Sequence, residues 1–278
     1  MRYFGAGLLA LFLMLLAGPS SAAKQQLNDP FGTQEQILQW INDYRLEPQP
    51  NRLPAAVKAM ARLGLFRDQD TAGMFVGFMA GVLGSNPKSA EKLVTGMFPM
   101  PPEDQAAIIK AIAYSGLPNW QQLMGKFVER MPARKTLIDS YLTGKAPVLH
   151  NLPLESGPAP VDTLWGYYFA TGSFEPVYRI VGALMWSSDK SNLDRLTIGS
   201  VAKWTLANNA SRDRDLLDFL RQEQGRANHP KQVREALKEI IVAAETFETG
   251  KIRKDALAAI EEVKRTGPQA NNPWAKAA

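Results

Sequence analysis

Residues 164–185 read LWGYYFATGSFEPVYRIVGALM and contain the signals of two short helices joined at a corner. Gly172 ends the first helix, because glycine readily adopts the left-handed conformation that closes helices. Ser173 is a favoured N-cap for the second helix. The apolar residues of the second helix recur every three or four positions: Val177, Ile180, Val181, Leu184 and Met185. This stretch therefore predicts an α-helical hairpin.

Aromatic side chains are concentrated in the same stretch. Three of them share one face of the first helix and are predicted to pack in a core: Trp165, Tyr168 and Phe169. Tyr167 points away from that face, so it is a candidate for surface contact. Tyr178 and Trp186 are the other two candidate interaction residues of this region.

Helical patterns continue along the chain, and no alternating β-branched run of strand length interrupts them. Thr33 and Gln36 have the spacing of a capping box. An apolar stripe from Val233 to Phe247 follows the 3.6-residue period of a helix. With about a dozen helices and loops of roughly two to six residues, the predicted fold class is all-α.

Two further segments resemble the corner at Gly172. Gly116 follows one apolar helical pattern and precedes another, and Ser211 is placed to cap a helix after the segment Val201–Asn209. Helical hairpins that bury each other's apolar faces stack into solenoids. Because the spacing of the corners is irregular, we expect irregular α-hairpin repeats, similar to tetratricopeptide solenoids, in two packed helical halves.

One segment breaks the helical pattern. Residues 144–160 are rich in proline and glycine, and a proline in a helix interior removes a hydrogen bond and clashes with the preceding turn. We therefore expect an N-terminal helical subdomain at residues 31–143, a linker at residues 144–160 and a C-terminal helical-hairpin subdomain at residues 161–266. Residues 267–278 are expected to form a flexible tail.

The N-terminus has the pattern of a secretory signal peptide. Arg2 precedes the apolar run Leu8–Ala17, and the small residues that a signal peptidase requires follow it. We expect residues 1–23 to be removed by cleavage after Ala23 or Ala22. An uncleaved anchor is disfavoured, because a spanning helix needs about 20 apolar residues. The mature protein is then expected to be periplasmic or secreted, with no integral membrane segment.

The segment Leu164–Val181, together with LTIGSVAKWTLA at residues 196–207, resembles a group of uncharacterised exported proteobacterial proteins. The resemblance covers the C-terminal half of the chain. It implies export and helical repeats, and it supplies no catalytic or binding residues.

The residue types exclude several kinds of site. The chain has no cysteine, which removes disulfides, thiolate nucleophiles and zinc–thiolate or iron–sulfur sites. His150 and His229 lack metal-binding spacing and are expected at the surface or at helix caps. Asp68–Gly73 resembles the start of a calcium loop but lacks oxygen ligands that such a loop needs. We therefore assign no metal, no cofactor and no catalytic residue.

Glu155 and Ser156 resemble the catalytic pair of lytic transglycosylases, in which a glutamic acid protonates the glycosidic oxygen. The next residues, Gly157–Pro160, depart from the Gly-Ala-x-Gly-x-Met-Gln segment of that family. A carboxylate in a linker is solvated, whereas a catalytic acid needs burial to raise its pKa. An envelope enzyme that acts on glycan, with its carboxylates unplaced, is therefore an alternative, and the balance favours a protein that is not an enzyme.

Gly73, Gly77 and Gly81 form a small-residue ridge in the apolar segment 72–83. A helix of this length reaches about 18 Å, whereas the apolar core of a bilayer is about 30 Å thick. We expect a buried helix whose glycine face admits another backbone at close range. Peripheral membrane association through residues 74–83 is a second alternative.

The charge pattern bears on the partner. The formal net charge is +5, but basic and acidic residues are interspersed from Ser211 to Arg265. Such a mixed surface does not predict nucleic-acid binding. Helical repeats form extended surfaces for other proteins. The leading hypothesis is a scaffold or binding module of the cell envelope, whose partner is another envelope protein or a peptide.

Overall fold

The computed structural model describes residues 30–68 and 72–266. Within these ranges the chain forms thirteen α-helices, six short 3-10 helices and no β-strand, which confirms the all-α prediction. The predicted signal peptide (residues 1–23) and tail (residues 267–278) lie outside the described residues. The helices are α1 (Gln34–Asp43), α2 (Leu53–Arg62), α3 (Ala72–Ser85), α4 (Ala90–Met97), α5 (Gln105–Tyr114), α6 (Trp120–Gly125), α7 (Lys135–Leu142), α8 (Ala159–Thr171), α9 (Phe174–Ala183), α10 (Leu193–Ala210), α11 (Arg214–Gly225), α12 (Lys231–Glu245) and α13 (Thr249–Thr266).

Helix caps follow the local sequence at some ends and not at others. The predicted capping box is present, since Gln36 N donates to Thr33 Oγ1 (3.3 Å) and Thr33 N donates to Gln36 Oε1 (3.1 Å). The predicted cap of α11 is wrong by two residues. The amide of Leu216 bonds to Asp213 Oδ1 (3.2 Å), whereas Ser211 forms the C-cap of α10.

Two of the predicted corners contain glycine in the left-handed conformation. Gly116 has a φ of 71° between α5 and α6, and Gly172 has a φ of 69° between α8 and α9. A residue with a Cβ atom is strained at such angles, so the sequence fixes these corners locally. The repeat relation between the hairpins stays a prediction.

The described helices divide into two compact units. Among the described residues, the N-terminal unit comprises residues 30–68, 72–152 and 162–173. The C-terminal unit comprises residues 153–161 and 174–266. The chain therefore enters the C-terminal unit, returns to the N-terminal unit and leaves it again.

Helix α8 is shared between the two units, which differs from the subdomain boundary expected at residue 161. Its first three residues group with the C-terminal unit and the others group with the N-terminal unit. The expected linker, residues 144–160, includes two 3-10 helices, Leu149–Asn151 and Leu154–Ser156. The division inside α8 has a physical reason, because the later residues of this helix pack on glycines of α3.

Helix α3 is central to the N-terminal unit, and residues 75–83 are all buried. A Cβ atom at Gly77 would overlap the carbonyl oxygen of Thr163, and one at Gly166 would overlap the carbonyl oxygen of Met74. The predicted close approach of another backbone to this glycine face is therefore confirmed. Residues 75–83 are therefore buried within the protein, and Met74 before them is half-buried. In the described ranges, no helix combines the length and hydropathy needed to cross a bilayer.

Helix α10 is central to the C-terminal unit and packs against α9, α11, α12 and α13. Four members of the apolar stripe of α12 are buried, as its period predicts, and Ile241 is half-buried: Val233, Leu237, Ile240 and Ala244 are the buried ones. The last expected member of the stripe is wrong. Helix α12 ends at Glu245, and Phe247 follows it with a left-handed φ of 57° and 76% of its surface exposed.

Candidate functional site

The outward face of α9 and the 3-10 helix that follows it carries exposed apolar side chains. Tyr178 is 42% exposed and Met185 is 45% exposed. Gly182 lies between them on the same face and is also exposed. We call these three residues the α9 surface. Tyr178 and Met185 are seven residues apart, which is about 10 Å along a helix axis.

The opposite face of the same segment explains why this surface points outward. Four apolar side chains at helical spacing are fully buried in the C-terminal unit: Val177, Ile180, Val181 and Leu184. The 3-10 helix Leu184–Trp186 lies directly on α10, because Gly199 has no side chain there. A Cβ atom at Gly199 would overlap the backbone of Trp186 and Ser187. This contact fixes the turn that holds Met185.

Gly182 leaves a gap in the α9 surface. Apart from its chain neighbours and its own helix backbone, no heavy atom lies within 4 Å of the position where its Cβ atom would stand, and its φ is not in the left-handed range. The gap is therefore open to an incoming side chain. A methyl group at position 182 would extend into this open space.

The corner between α11 and α12, residues 226–230, runs beside the α9 surface. The ring of His229 lies 5.9 Å from the ring of Tyr178. At the other end, Gln232 Nε2 donates to the carbonyl oxygen of Met185 (3.4 Å). Arg234 Nη1 donates to the carbonyl oxygen of His229 (2.9 Å) and so holds the corner in shape.

A buried pair of side chains, His229 and Glu223, holds the corner against the end of α11. His229 Nε2 lies 2.8 Å from Glu223 Oε2, and the two residues are 9% and 1% exposed. An ionised carboxylate only accepts hydrogen bonds, so Nε2 of His229 is the donor in the tautomer that carries its proton there. Arg226 Nε lies 3.2 Å from the other carboxylate oxygen, Oε1, as an ion pair without hydrogen-bond alignment. The Glu223 carboxylate thus contacts two basic side chains of the same corner, His229 and Arg226.

The rim of the α9 surface is basic. Residues 225–234 contain three basic side chains, Arg226, Lys231 and Arg234, and the first of them is paired with Glu223. Lys231 reaches Glu235 only loosely, at 3.6 Å with 83% of its side chain exposed. On α9 itself, burial lowers the pKa of Arg179 and the Glu175 carboxylate opposes this effect. Basic side chains beside an exposed apolar face favour an acidic partner through electrostatic complementarity.

The structure places the three candidate interaction residues differently. Tyr178 belongs to the α9 surface. Trp186 ends the same segment and is half-buried, with the guanidinium carbon of Arg195 5.8 Å from its ring centroid. Tyr167 belongs to the N-terminal unit, where it is half-buried against the hydrophobic core, unlike the surface position expected for it. Tyr178 and Trp186 are therefore close in the chain and Tyr167 is separate from them.

The residues considered as catalytic or metal-binding candidates have other environments in the structure. Glu155 is exposed and its Oε1 accepts from Arg195 Nη2 (2.7 Å). His150 is exposed, whereas His229, which is expected at the surface or at a helix cap, is buried just before α12, where its Nε2 lies 2.8 Å from Glu223 Oε2. Part of the calcium-like loop, residues 69–71, lies outside the described residues. In the described part of the chain, no group of three or more metal-ligating side chains occurs.

Two carboxylates are buried among the described residues, one in each unit. Glu223 bonds to His229 in the C-terminal unit. Asp104 accepts from Arg67 through Nε and Nη2, both at 3.3 Å, in the N-terminal unit. Each buried carboxylate is therefore paired with a basic side chain. Glycoside hydrolysis instead uses two carboxyl groups that face each other across the substrate.

Sequence reasoning missed two members of the α9 surface. Met185 is expected in the core with Leu184, but it is 45% exposed, at the edge of the buried face and two helical turns after Tyr178. Gly182 carries a signal that could have found it, since it lies four residues after Tyr178 and so on the same face. Comparison with protein-family models, curated proteins and solved structures found no match to this chain, so the resemblance to exported helical-repeat proteins stays a prediction.

Proposed function

We propose that this protein acts by binding another protein or a peptide through the α9 surface. One observation carries the proposal: two large apolar side chains, Tyr178 and Met185, are exposed on either side of an open gap at Gly182. Tyrosine and methionine are enriched in protein–protein interfaces relative to the rest of the protein surface. The bound segment presents an apolar side chain to the gap and acidic residues to the basic corner.

The energetics suit a transient interaction. Complete burial of a large apolar side chain contributes about 2 kcal/mol, so covering the exposed part of Tyr178 or Met185 contributes roughly 1 kcal/mol each. Association costs at least about 4 kcal/mol in lost rigid-body freedom. The partner's own apolar anchor and its charge therefore have to supply much of the affinity.

We further propose that binding takes place in the cell envelope, after export. The support is the signal-peptide pattern of residues 1–23. Fractionation of the native host is expected to recover the chain outside the cytoplasm. N-terminal sequencing of that material is expected to begin at Lys24 or Ala23, and a start at Met1 with cytoplasmic recovery would contradict this location.

Site-specific photocrosslinking in the native host tests the binding proposal. A photoreactive amino acid replaces Ser188, an exposed residue beside Met185. A discrete adduct is expected, and peptide mapping is expected to place the crosslink in an acidic segment of the partner. The same photoreactive residue at Leu46, which is 82% exposed in the N-terminal unit, serves as the position control and should not give this adduct.

A matched pair of glycine variants tests the role of the gap. Gly182→Gln fills the gap and is expected to weaken the adduct at least five-fold. Gly125→Gln is the control, because Gly125 is also exposed with no heavy atom near its Cβ position. Absence of an adduct at position 188, or an adduct that Gly182→Gln leaves unchanged, would overturn the proposal.

A further inference from the structure

Methionine exposure is uneven in this protein. Six methionines of the described residues are at most 6% exposed: Met60, Met79, Met97, Met100, Met124 and Met131. Met74 is half-buried in α3. Met185 is 45% exposed and lies in the α9 surface. The chain also has no cysteine, so thioethers are its only side-chain sulfur.

We infer that Met185 is an oxidation site, converted to methionine sulfoxide by peroxide ahead of the other described methionines, and that its oxidation weakens partner binding. The sulfur lone pair attacks one oxygen of the peroxide. A sulfur–oxygen bond forms as the oxygen–oxygen bond breaks, and the second oxygen takes up the proton and leaves as water. Sulfur loses two electrons and the peroxide is reduced.

The selectivity follows from access. An exposed thioether meets peroxide in the native state, whereas a buried one reacts only when its surroundings open. Met79 and Met97 are fully buried in the N-terminal unit, so their oxidation requires such an opening. We expect Met185 to be oxidised at least about tenfold faster than the six buried methionines, with Met74 between these limits.

The effect on binding follows from polarity, and this part rests on the proposed function. A thioether is a flexible apolar group, whereas a sulfoxide is polar and accepts hydrogen bonds. Met185 is exposed three residues after Gly182 on the α9 surface, where the partner's apolar side chain is proposed to bind. Oxidation therefore replaces an apolar contact by a polar group that has to lose its hydration on binding.

The first experiment measures selectivity on the purified full chain. The protein is treated with hydrogen peroxide, samples are quenched with catalase over time, and peptide mass spectrometry assigns each sulfoxide to its methionine. Met185 is expected to reach half-oxidation first. If any of the six buried methionines is oxidised as fast as Met185, the inference is overturned, independently of any partner.

The second experiment measures the effect on binding. Chain carrying the photoreactive residue at position 188 is oxidised, freed of peroxide and crosslinked in extract of the native host. The yield of the adduct is expected to fall at least five-fold with oxidised Met185. Met185→Leu keeps an apolar side chain of similar volume and cannot be oxidised, so it should retain the adduct after peroxide treatment. Met185→Gln should lower the yield without peroxide.

The outcomes separate this inference from the proposed function. An adduct that forms with unoxidised chain and survives complete oxidation of Met185 overturns only the inference. Loss of the adduct from Met185→Leu after peroxide also overturns it, because the damage then lies elsewhere. Failure of the unoxidised chain to give any adduct overturns both the proposed function and the effect of oxidation on it.

Discussion

Replacement of Phe247 by asparagine is expected to stabilise the protein. Phe247 directly follows the C-cap of α12 with a φ of 57°. Its amide donates to the carbonyl oxygen of Ala244 (3.4 Å), and the amide of Glu248 donates to that of Ala243 (3.0 Å). These two bonds form a Schellman motif, in which glycine or asparagine normally occupies the left-handed position.

The magnitude follows from the backbone angle and the exposure of the ring. The left-handed conformation costs a non-glycine residue about 1–2 kcal/mol. With 76% of Phe247 exposed, the buried remainder contributes only about 0.5 kcal/mol, a quarter of the value for complete burial. Asparagine tolerates this conformation. Phe247→Asn should therefore raise the free energy of unfolding by about 1 kcal/mol, the difference between these two terms.

Two other variants separate strain from the loss of the ring. Phe247→Gly relieves the same strain but gives the unfolded chain more freedom, worth about 0.4–1 kcal/mol, so roughly half of the gain should remain. Phe247→Ala keeps the strain and loses the ring contacts, so it should lower the free energy of unfolding by about 0.5 kcal/mol. The expected order of stability is Asn, Gly, Phe, Ala.

Urea unfolding of the full chain, followed by circular dichroism, measures these differences. Leu46→Asn is a control for replacing an exposed apolar residue by asparagine, since Leu46 is 82% exposed and has no left-handed backbone. Its effect should stay within about 0.5 kcal/mol. If both Phe247→Asn and Phe247→Gly unfold at lower urea than the native chain, the ring must be more important to packing than its exposure indicates, and the reasoning is refuted.

Two further predictions concern the N-terminal unit and its contrast with α9. Gly77→Ala should lower the free energy of unfolding by about 2 kcal/mol or more, because the added methyl group meets the backbone of Thr163. Gly182→Ala should instead raise the free energy of unfolding by up to about 1 kcal/mol. Equal urea midpoints for the two variants would contradict the close contact at Gly77. Burial raises the pKa of Tyr44 to about 12, with Asn86 opposing the shift. Because unfolded tyrosine ionises near pH 10, the contribution of neutral Tyr44 to the free energy of unfolding is complete below pH 10 and is lost as the pH rises toward 12. Urea unfolding at pH 8 and pH 11 should show this loss of stability. Tyr44→Phe should make the loss between the two pH values smaller.

Local signals predicted the helices, and packing contacts between distant segments escaped them. The glycine ridge of α3 predicted that another backbone lies close to it, because glycines in a helix interior destabilise the helix unless close packing offsets them. The partner could not be read from the same segment. Thr163 and Gly166 of α8 lie far along the chain from Gly77 and Met74, and no local pattern encodes such a pairing.

The candidate surface shows where a periodic pattern loses its meaning, at the edge and at the end of a helix. Met185 follows Val181 by four residues, which suggests the buried face, but it also follows Tyr178 by seven, which is close to two full turns and places it near the exposed face. It is 45% exposed. Phe247 is misplaced for a different reason, since α12 ends two residues before it. The period of a pattern is informative for the middle of a face and only while the helix continues.

The contact between His229 and Glu223, which holds the corner between α11 and α12, also could not be predicted from local sequence. His229 and Glu223 are six residues apart, a spacing that does not bring side chains together on one helix. They meet because α11 ends at Gly225 and the chain turns before α12 begins. Predicting that His229 is buried therefore requires the geometry of the turn between α11 and α12, which short-range sequence rules do not provide.

The sharing of α8 has a consequence for dissecting this protein into fragments. The proline-rich stretch invites a cut near residue 153, yet a fragment that stops there lacks residues 162–173, which group with the N-terminal unit. Gly77 and Gly81 would then face water, and the apolar side chains around them would lose their cover. Expression boundaries chosen from proline content alone should give insoluble material, and a workable N-terminal fragment has to extend through Ser173.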